Sequence, residues 1–380
     1  MSDRYERLAL TMNGVIKRSK DDSNGLQPEK FETYQILRPD ELVFKLIDLQ
    51  NVSTSRVGLS PYLGLVSPAY IILKSNKRVL PAFAEKYFLM LWKNQIFNAL
   101  GDAGVRSNLN SKDLLELSIP FPTFDEQQQI ADFLDRECGK IDGLKADIQA
   151  QIDTLEQYKR SVITEAVTHG LNPSAPMKDS GIPWVGQFPT HWTKKKGKYI
   201  LRYMSKPVKQ DDGVITCFRD GEVTLRSNRR EDGFTMADKE IGYQGVDVGD
   251  LVVHGMDGFA GAIGISDSRG KASPVLNVLN TKQNKKYIMY YLRSMAYGEV
   301  FTALSTGIRV RSCDLRWNKL AELLYPLPPI DEQNNIVSYI DNQIARTNEI
   351  IADKKSQIET LDGYKKSLIY EYVTGKKEVV

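Results

Sequence analysis

An internal repeat with an offset of 206 residues restricts the fold of this chain more than any other feature of its sequence. Asp125-Glu126-Gln127 recurs as Asp331-Glu332-Gln333, and the prolines that precede the first string also precede the second. The same offset relates, among others, these pairs: Gly64 and Gly270, Ile130 and Ile336, Asp135 and Asp341, Leu155 and Leu361, Tyr158 and Tyr364, Thr168 and Thr374. One offset that holds over so long a stretch indicates a duplicated structural unit.

Each copy ends in a long amphipathic helix. Asp125 and Asp331 follow proline-rich strings and are predicted to be the N-caps of these helices. Apolar residues then recur at helical spacing, several of them seven apart, which predicts a coiled-coil seam. Because neither helix can bury its apolar stripe alone, we expect antiparallel pairing with the globular domains at opposite ends. The predicted seam and partner interface consists of Ile141, Ile148, Leu155, Tyr158, Ile344, Ile351, Ile358, Leu361 and Tyr364.

The stretches outside these helices have the pattern of mixed α/β domains. Short apolar runs predict strands at Glu41–Phe44, Ala69–Leu73 and Asp250–Val253, and longer ones predict helices at Ala82–Leu100 and Tyr287–Leu304. We therefore predict an α+β fold with a pseudo-twofold repeat. Its five segments are a first globular domain over 1–119, a spacer helix over 120–170, a linker over 171–179, a second globular domain over 180–325 and a second spacer helix over 326–380.

The distribution of charge points to a polyanionic partner. The 380 residues carry a net charge of +3, but the predicted helices are acidic: segment 125–170 holds 10 Asp/Glu and 5 Lys/Arg, and segment 331–380 holds 9 and 7. The remaining residues hold 39 Lys/Arg and 29 Asp/Glu, so the globular parts are basic. A basic domain is typical of proteins that bind nucleic acid.

Several basic residues occur beside polar groups that could contact phosphates or base edges. Arg106 and Arg309 precede equivalent apolar runs in the two copies, which favours a shared role. For any single cluster, a solvated surface is the alternative interpretation. The predicted DNA-binding residues are Lys17, Arg18, Lys20, Arg56, Arg106, Lys196, Arg226, Asn228, Arg229, Arg230, Arg309 and Arg311.

Motifs for chemistry are missing from the sequence. No glycine-rich phosphate loop of the form G-x-x-x-x-G-K-[ST] is present, and no Asp/Asn-Pro-Pro-aromatic string of an amino-methyltransferase occurs. Three histidines and three cysteines lie in unrelated contexts without the spacing of metal ligands, so we expect no metal site and no catalytic residue. The odd number of cysteines, the absence of a signal peptide and the lack of a long apolar run favour a reducing cytoplasm.

The repeated strings also resemble a known family. Ile119 to Gln127, a long helix and then Leu155 to Ile163, with the second copy from Pro326 to Glu371, resemble a type I restriction–modification specificity subunit. Ser180 to Gly186, followed by Pro189 to Trp192, resembles the string that opens a target-recognition domain in that family. We refer to residues 180–192 as the opening string.

The resemblance implies two target-recognition domains that each read one half of a bipartite, asymmetric DNA site, with the helices setting the gap and docking methyltransferase subunits. It implies double-stranded DNA, two modification subunits and ATP-dependent restriction subunits as partners in a prokaryotic cytoplasm. S-adenosylmethionine, ATP and Mg are expected in those partners and no cofactor is expected in this chain. One departure from the family pattern concerns Ser180, whose counterpart in the first copy would fall before Met1.

Two other interpretations compete with a DNA-specificity subunit. One is a coiled-coil scaffold whose basic surfaces are incidental, and the other is an enzyme whose site the motifs do not reveal. Sequence-specific DNA binding that weakens steeply with salt would distinguish the first alternative. Methylation or cleavage of DNA by the isolated chain would establish the second.

Overall fold

The computed structural model describes residues 5–12, 14–19, 33–47, 49, 55–100, 109–229, 241–304 and 315–379. They form two compact units, of which unit 1 comprises residues 1–150 and 354–380 and unit 2 comprises residues 151–353. Among the described residues, no helix is both long and apolar enough to cross a membrane.

Unit 1 contains two small sheets. In the first, β1 (Arg7–Thr11) forms an antiparallel hairpin with β2 (Gly14–Arg18), and β6 (Gly64–Val66) joins β1 in parallel and β3 (Gln35–Leu37) in antiparallel. In the second, β4 (Leu42–Phe44) lies between β5 (Val57–Leu59) and β7 (Ile71–Leu73). The strands predicted near residues 41–44 and 69–73 are therefore confirmed.

In the described part of unit 1, three helices follow the sheet strands along the chain and precede the first long helix: α1 (Pro81–Lys93), α2 (Ile96–Leu100) and α3 (Ser111–Leu115). The single helix predicted over 82–100 is wrong in one detail, because Gln95 adopts a φ of 60° and separates α1 from α2. α1 buries Phe83 and Phe88, and the Phe88 ring meets the ring of Phe44 edge-on at a centroid distance of 5.0 Å. This aromatic contact joins α1 to β4 in the core of unit 1.

Unit 2 is built around a four-stranded antiparallel sheet with the order β11 (Leu201–Tyr203), β18 (Leu276–Thr281), β15 (Leu251–His254) and β16 (Ile263–Ile265). Four antiparallel pairs surround it: β8 (Met177–Asp179) with β9 (Gln187–Pro189), β10 (Thr193–Lys196) with β19 (Leu324–Leu327), β12 (Ile215–Cys217) with β13 (Val223–Leu225), and β14 (Gln244–Val246) with β17 (Gly270–Ala272). β15 matches the strand predicted at 250–253. β8 lies within the predicted linker 171–179, so the linker is shorter than expected.

The helices of unit 2 repeat the pattern of unit 1. α5 (Lys285–Tyr297) is followed by α6 (Val300–Ala303), and α7 (Trp317–Glu322) precedes β19. The predicted helix over 287–304 is divided at Glu299, which has a φ of 56°, as Gln95 divides its counterpart in unit 1. The core includes the fully buried rings of Trp192, Tyr287 and Tyr325.

Two long helices, α4 (Phe124–His169) and α8 (Ile330–Val373), contribute residues to both units. The predicted N-caps are wrong, because Asp125 and Asp331 lie inside the first turn of each helix. Thr123 closes the start of α4 instead, since its backbone N–H donates to Glu126 Oε2 at 2.7 Å and its hydroxyl accepts from the Glu126 N–H at 3.3 Å. Pro329 precedes α8, where a missing N–H costs nothing.

The long helices pair inside each unit. In unit 1, Lys365 Nζ binds Asp142 at 2.6 and 2.7 Å and Lys145 pairs with Asp362, so the two segments are antiparallel. In unit 2, Lys159 Nζ donates to Asn348 Oδ1 at 2.8 Å. Lys365 is the repeat equivalent of Lys159, and Asp142 is the repeat equivalent of Asn348. The two pairs therefore occupy equivalent positions, which shows that the duplication preserves the pairing register.

The predicted seam residues differ in how deeply they are buried. Ile141 and Ile351 are buried, whereas Tyr158 and Tyr364 expose 47% and 57% of their surface. The assignment of both tyrosines to the buried seam is therefore wrong, because heptad spacing does not reveal which side of a helix a neighbour covers. The remaining predicted seam residues are half-buried: Ile148, Leu155, Ile344, Ile358 and Leu361.

A buried glutamine fastens each long helix to its globular part. Gln127 is fully buried, and its Oε1 accepts the Leu80 N–H at the start of α1 at 2.7 Å while its Nε2 donates to the Pro122 carbonyl at 3.0 Å. Gln333 is equally buried, accepts the Asn284 N–H at the start of α5 at 3.0 Å and donates to the Pro328 carbonyl at 2.9 Å. The amide thus satisfies a helix-terminal N–H that has no partner inside its own helix.

We predict that Gln127→Ala and Gln333→Ala each lower the free energy of unfolding by about 1–3 kcal/mol, because each leaves buried backbone groups without partners. Gln128→Ala is the matched control, since the Gln128 side chain is exposed and bonds Asp132 in its own helix. Urea denaturation followed by circular dichroism measures the difference. Equal midpoints for Gln127→Ala and Gln128→Ala would contradict the fastening role.

Candidate nucleic-acid interface

A cleft in unit 2 collects three arginines that come from two loops. Arg219, Arg226 and Arg229 line a cavity of about 1070 Å³ together with Thr216 and His254. We call it the arginine cleft. Its floor comes from the β12–β13 hairpin, whose turn is closed by Gly221 at a φ of 91° and by the Glu222 N–H donating to Asp220 Oδ1 at 3.1 Å.

Arg226 and Arg229 belong to the basic cluster predicted from the sequence. Arg226 begins a short 3-10 turn after β13, and its Nε donates to Thr216 Oγ1 at 3.4 Å across the hairpin. Asn228 on the same turn donates to Thr224 Oγ1 at 2.9 Å. The structure therefore brings Arg226 and Arg229 to one cavity, with Asn228 beside them on the turn.

Acidic and aromatic neighbours restrain the guanidinium groups. Arg229 lies 4.2 Å from the centroid of the Phe218 ring, and its Nη1 binds Asp220 at 2.7 Å and Glu222 at 3.0 Å. Arg219 binds Asp257 at 2.8 Å. An aromatic ring and carboxylates thus hold the Arg229 guanidinium in one orientation. A guanidinium is a group that can bind a phosphate or the O6 and N7 atoms of guanine.

His254, at the end of β15, can donate a hydrogen bond only from Nε2 when its ring is neutral. Its Nδ1 accepts the N–H groups of Met256 at 3.2 Å and Asp257 at 3.0 Å, so the proton of the neutral ring is on Nε2. Burial is the main cause that lowers the pKa of His254, with Arg219 adding to the effect and Asp257 opposing it. The ring is therefore neutral near pH 7 and can donate from Nε2 to an acceptor in the cleft.

An ion-pair network holds the segment that leads into β12. Arg269 binds both oxygens of Asp212, at 3.0 Å through Nε and 2.9 Å through Nη2, and also pairs with Asp247. The Arg269 guanidinium lowers the pKa of Asp212 to about 2. Lys206 bridges Asp247 and Asp250 from the other side. These contacts fix the β11–β12 connection near the β14–β17 pair.

The other predicted DNA-binding residues fall into four groups. Lys17 and Arg18 lie on β2 in unit 1, where Lys17 pairs with Glu6 at 2.6 Å and remains half exposed. Lys196 pairs with Glu322 at 2.7 Å at the end of β10, which ties it to α7. Arg56 is fully buried, so its assignment as a DNA contact is wrong. Lys20, Arg106, Arg230, Arg309 and Arg311 lie outside the described residues.

Sequence reasoning missed Arg219, Thr216 and His254 as members of the cleft. Arg219 precedes the Asp220-Gly221 turn, which was a usable signal, whereas His254 comes close only through the register of β15 in the sheet. Of the cysteines, Cys138 and Cys217 are buried and free, and burial raises the pKa of both thiols. Within the described ranges, no group of His, Cys, Asp and Glu side chains could hold a metal ion.

Comparisons with known proteins agree on one family. Residues 49–154 match the type I restriction modification DNA specificity domain, Methylase_S. The chain is 24% identical to the type I restriction enzyme MjaX specificity subunit of Methanocaldococcus jannaschii over 81% of its own length and 71% of that protein. It is 19% identical to the StySPI specificity subunit of Salmonella potsdam over 93% of its length and 81% of that protein.

A solved structure shares the fold. A chain from a structure on the complex assembly and conformational transition of the type I R-M system superposes with a TM-score of 0.66, at 12% identity, over 97% of this chain and 91% of that one. This likeness confirms the predicted combination of mixed α/β parts with long helices. Together the similarities confirm the resemblance that the repeated strings predicted.

The lowered pKa of His254 predicts a pH dependence of stability. Above the ordinary histidine pKa of about 6.5, His254 is neutral in both the folded and the unfolded chain, and its contribution to stability is fully present. As the pH falls from there through the lower pKa of the folded state, protonation favours the unfolded chain and this contribution is lost. We expect the free energy of unfolding of His254→Asn to fall less than that of the wild type between about pH 7 and pH 5. His169→Asn, at a half-buried position on α4, is the control. Parallel pH curves for the wild type and His254→Asn would rule out this origin.

Proposed function

We propose that this chain is a type I restriction–modification specificity subunit, which recognises DNA sequence for a complex whose catalytic activities lie in other subunits. Each unit reads one half of a bipartite target, and the two halves differ in sequence. The long helices, which contribute residues to both units, set the unread gap between the halves. This role places the chain with the chromosome in the cytoplasm of a prokaryote.

One observation carries the proposal: the chain builds the same unit twice while varying the part that could face DNA. The Gln127 and Gln333 fastenings and the Lys365–Asp142 and Lys159–Asn348 pairs recur at equivalent positions. The three arginines and the histidine of the arginine cleft have no identical counterparts at the offset of 206. A protein that recognises two different half-sites requires conserved helices and contacts in both units together with DNA-facing surfaces that differ between them.

The arginine cleft supports DNA reading by its chemistry. Its guanidinium groups can bind phosphates or guanine, the neutral Nε2–H of His254 can donate to a base acceptor, and Asp220 and Asp257 can accept from exocyclic amino groups. Phosphate contacts position a protein on the duplex and base contacts supply the specificity. The cleft offers side chains for both tasks.

Exposed apolar residues on the paired helices support docking of two modification subunits. Leu144 and Tyr364 in unit 1 expose 53% and 57% of their surface, and their repeat equivalents in unit 2, Ile350 and Tyr158, expose 40% and 47%. We interpret these exposed apolar side chains, which recur at equivalent positions, as contacts to a partner. Two copies of this surface fit two copies of one partner.

The reaction itself is assigned to those partners. Modification subunits would bind S-adenosylmethionine and methylate adenine, and restriction subunits would use ATP and Mg. The sequence of this chain carries no motif for either chemistry. Methyl transfer by the highly purified chain alone would contradict this division of labour.

We predict that the methylome of a strain expressing this chain with its partners shows one split, non-palindromic motif. Arg229→Ala should relax or weaken only one half of that motif, by about 1–3 kcal/mol in DNA binding if the guanidinium contacts a base. Long-read methylome sequencing and competition binding with each half-site altered in turn measure the effect.

Arg202→Ala is the matched control, because it removes the same charge from an exposed position of β11 that does not line the cleft. If Arg229 contacts only phosphate, affinity falls equally for all sequences and its salt dependence becomes shallower. An uninterrupted or palindromic methylated motif would be incompatible with two separate readers.

We predict that Leu144→Asp with Tyr364→Asp reduces the number of bound modification subunits from two to one, because a charge in an apolar interface loses its hydration. Ile350→Asp with Tyr158→Asp should remove the other copy, and all four substitutions together should abolish assembly. Native mass spectrometry of the reconstituted complex gives the stoichiometry. Leu63→Asp, at an exposed position elsewhere in unit 1, should leave both copies bound. Full occupancy in the fourfold variant would place docking elsewhere.

A further inference from the structure

A second cavity of unit 2 adjoins the arginine cleft. It has a volume of about 820 Å³ and is lined by residues of the long helices α4 and α8, of α5 and α6, and of the β12–β13 turn. Arg219 and Asp220 of that turn line both this cavity and the arginine cleft. We call it the spacer cavity, because the long helices contribute to its wall. The two cavities are neighbours that share the β12–β13 turn.

Two arginines meet one tyrosine ring in the spacer cavity. The guanidinium carbon of Arg160, on α4, lies 5.4 Å from the centroid of the Tyr297 ring, and that of Arg293, on α5, lies 5.8 Å from the same centroid. Arg293 Nε also donates to the Tyr297 hydroxyl at 2.9 Å. The negative face of an aromatic ring attracts a guanidinium group, so the ring holds two positive groups that repel each other.

The acids that line the cavity do not neutralise this pair of arginines. Asp220 pairs with Arg229 at 2.7 Å, Glu156 pairs with Lys159 at 2.8 Å, and Glu299 is exposed to solvent. Within the described part of the chain, the two guanidinium groups on the tyrosine ring have no carboxylate at ion-pair distance. The cavity therefore presents positive charge that suits an anionic group, and a guanidinium matches the oxygens of a phosphate.

Arg293 connects the spacer cavity to the hairpin that carries Arg219. Its Nη2 donates to the Asp220 carbonyl at 2.8 Å. Gly221, the next residue in the turn, leaves room for this guanidinium, because a Cβ at that position would lie 2.5 Å from Arg293 Nη1. A phosphate bound by Arg160 and Arg293 would therefore lie beside the turn that borders the arginine cleft.

DNA supplies phosphates in a regular row. One strand carries a phosphate for about every 3.4 Å of helix axis, so a strand that enters the arginine cleft continues beyond it as a series of anions. A free nucleotide is the other source of phosphate. The turn shared by the two cavities favours DNA, since a bound strand would extend from one cavity to the other.

We propose that Arg160 and Arg293 bind a backbone phosphate of the DNA that flanks the half-site of unit 2. This inference rests on the proposed DNA-reading function and adds to it a contact from the long helix α4. The phosphate bridges α4 and α5, so bound DNA holds the recognition part of unit 2 against the helix. Because phosphates carry no base identity, the contact contributes to affinity and leaves the recognised motif unchanged.

Arg160→Ala in the full chain tests the contact, since Arg160 is exposed whereas Arg293 also supports the hairpin. We expect affinity to fall roughly threefold or more at low salt, both for a duplex with the methylated motif and for an unrelated duplex. The slope of log affinity against log salt should become shallower by about one. The methylome should keep the same motif.

Arg136→Ala is the matched control. It removes the same charge from the same helix, and its guanidinium carbon also lies 5.4 Å from a ring, that of Phe133. Arg136 differs in being paired with Glu137 at 3.0 Å. DNA affinity and its salt slope should therefore match those of the wild type.

The position of the contact is tested by replacing single phosphates of the motif duplex with uncharged methylphosphonates. At one position beside the half-site of unit 2, the replacement should weaken binding of the wild type and of Arg136→Ala roughly threefold or more. The same replacement should have no further effect on Arg160→Ala. If every replacement weakens Arg160→Ala as much as the wild type, Arg160 binds no phosphate and the proposal is overturned.

The two levels of the argument fail in different ways. A wild-type chain that does not distinguish the motif duplex from an unrelated one contradicts the proposed function and this inference together. A wild-type chain that distinguishes them, while Arg160→Ala binds both with wild-type affinity and salt slope, overturns this inference alone. ATP is the probe for a free nucleotide: binding of ATP that Arg160→Ala abolishes, with DNA binding unchanged, would assign the arginines to a free phosphate instead.

Discussion

The architecture depends on one buried side-chain amide in each copy. Gln127 and Gln333 accept an N–H at the start of a globular-domain helix and donate to a carbonyl of the proline-rich string before the long helix. Without these contacts, the first turn of α1 or α5 would leave a backbone donor inside a packed interface, which is costly. The position of each globular part against its long helix follows from satisfying that donor, and the burial of the surrounding apolar residues follows from that position.

The neighbouring glutamate shows how the same motif serves different surroundings. In α4, Thr123 and Glu126 close the helix start by bonding each other. In α8, Pro329 occupies the position of Thr123 and offers no hydroxyl, so Glu332 is available to bind Trp192 and His191. A single change in the residue before the helix therefore accompanies a change from local capping to a contact between distant segments. The two copies therefore share the same arrangement of the long helix, but Glu126 and Glu332 make different contacts.

The repeat made the helices, their pairing and the two mixed α/β parts predictable, because it fixes equivalent elements without needing their contacts. Other features depend on contacts that a linear pattern does not contain. Tyr158 and Tyr364 satisfy the apolar spacing of a seam yet are about half exposed, and Arg56 lies in a polar stretch of the sequence yet is buried. Arg226 and Arg229 could be singled out because they are clustered in sequence. His254 joins them only because the register of β15 brings its end to the β12–β13 hairpin, and strand register across long separations cannot be inferred from one sequence.

The fastening glutamines bind mostly through the main chain of their partners. The partners described for Gln127, the N–H of Leu80 and the carbonyls of Arg78 and Pro122, are all backbone groups. Every residue type except proline offers the same N–H, so the joint places almost no demand on which side chains the attached domain carries. A recognition surface can then be exchanged for another of the same backbone plan while the joint and the long helices stay unchanged. In such a chain, new specificities can arise by replacing whole modules, without rebuilding the frame that carries them.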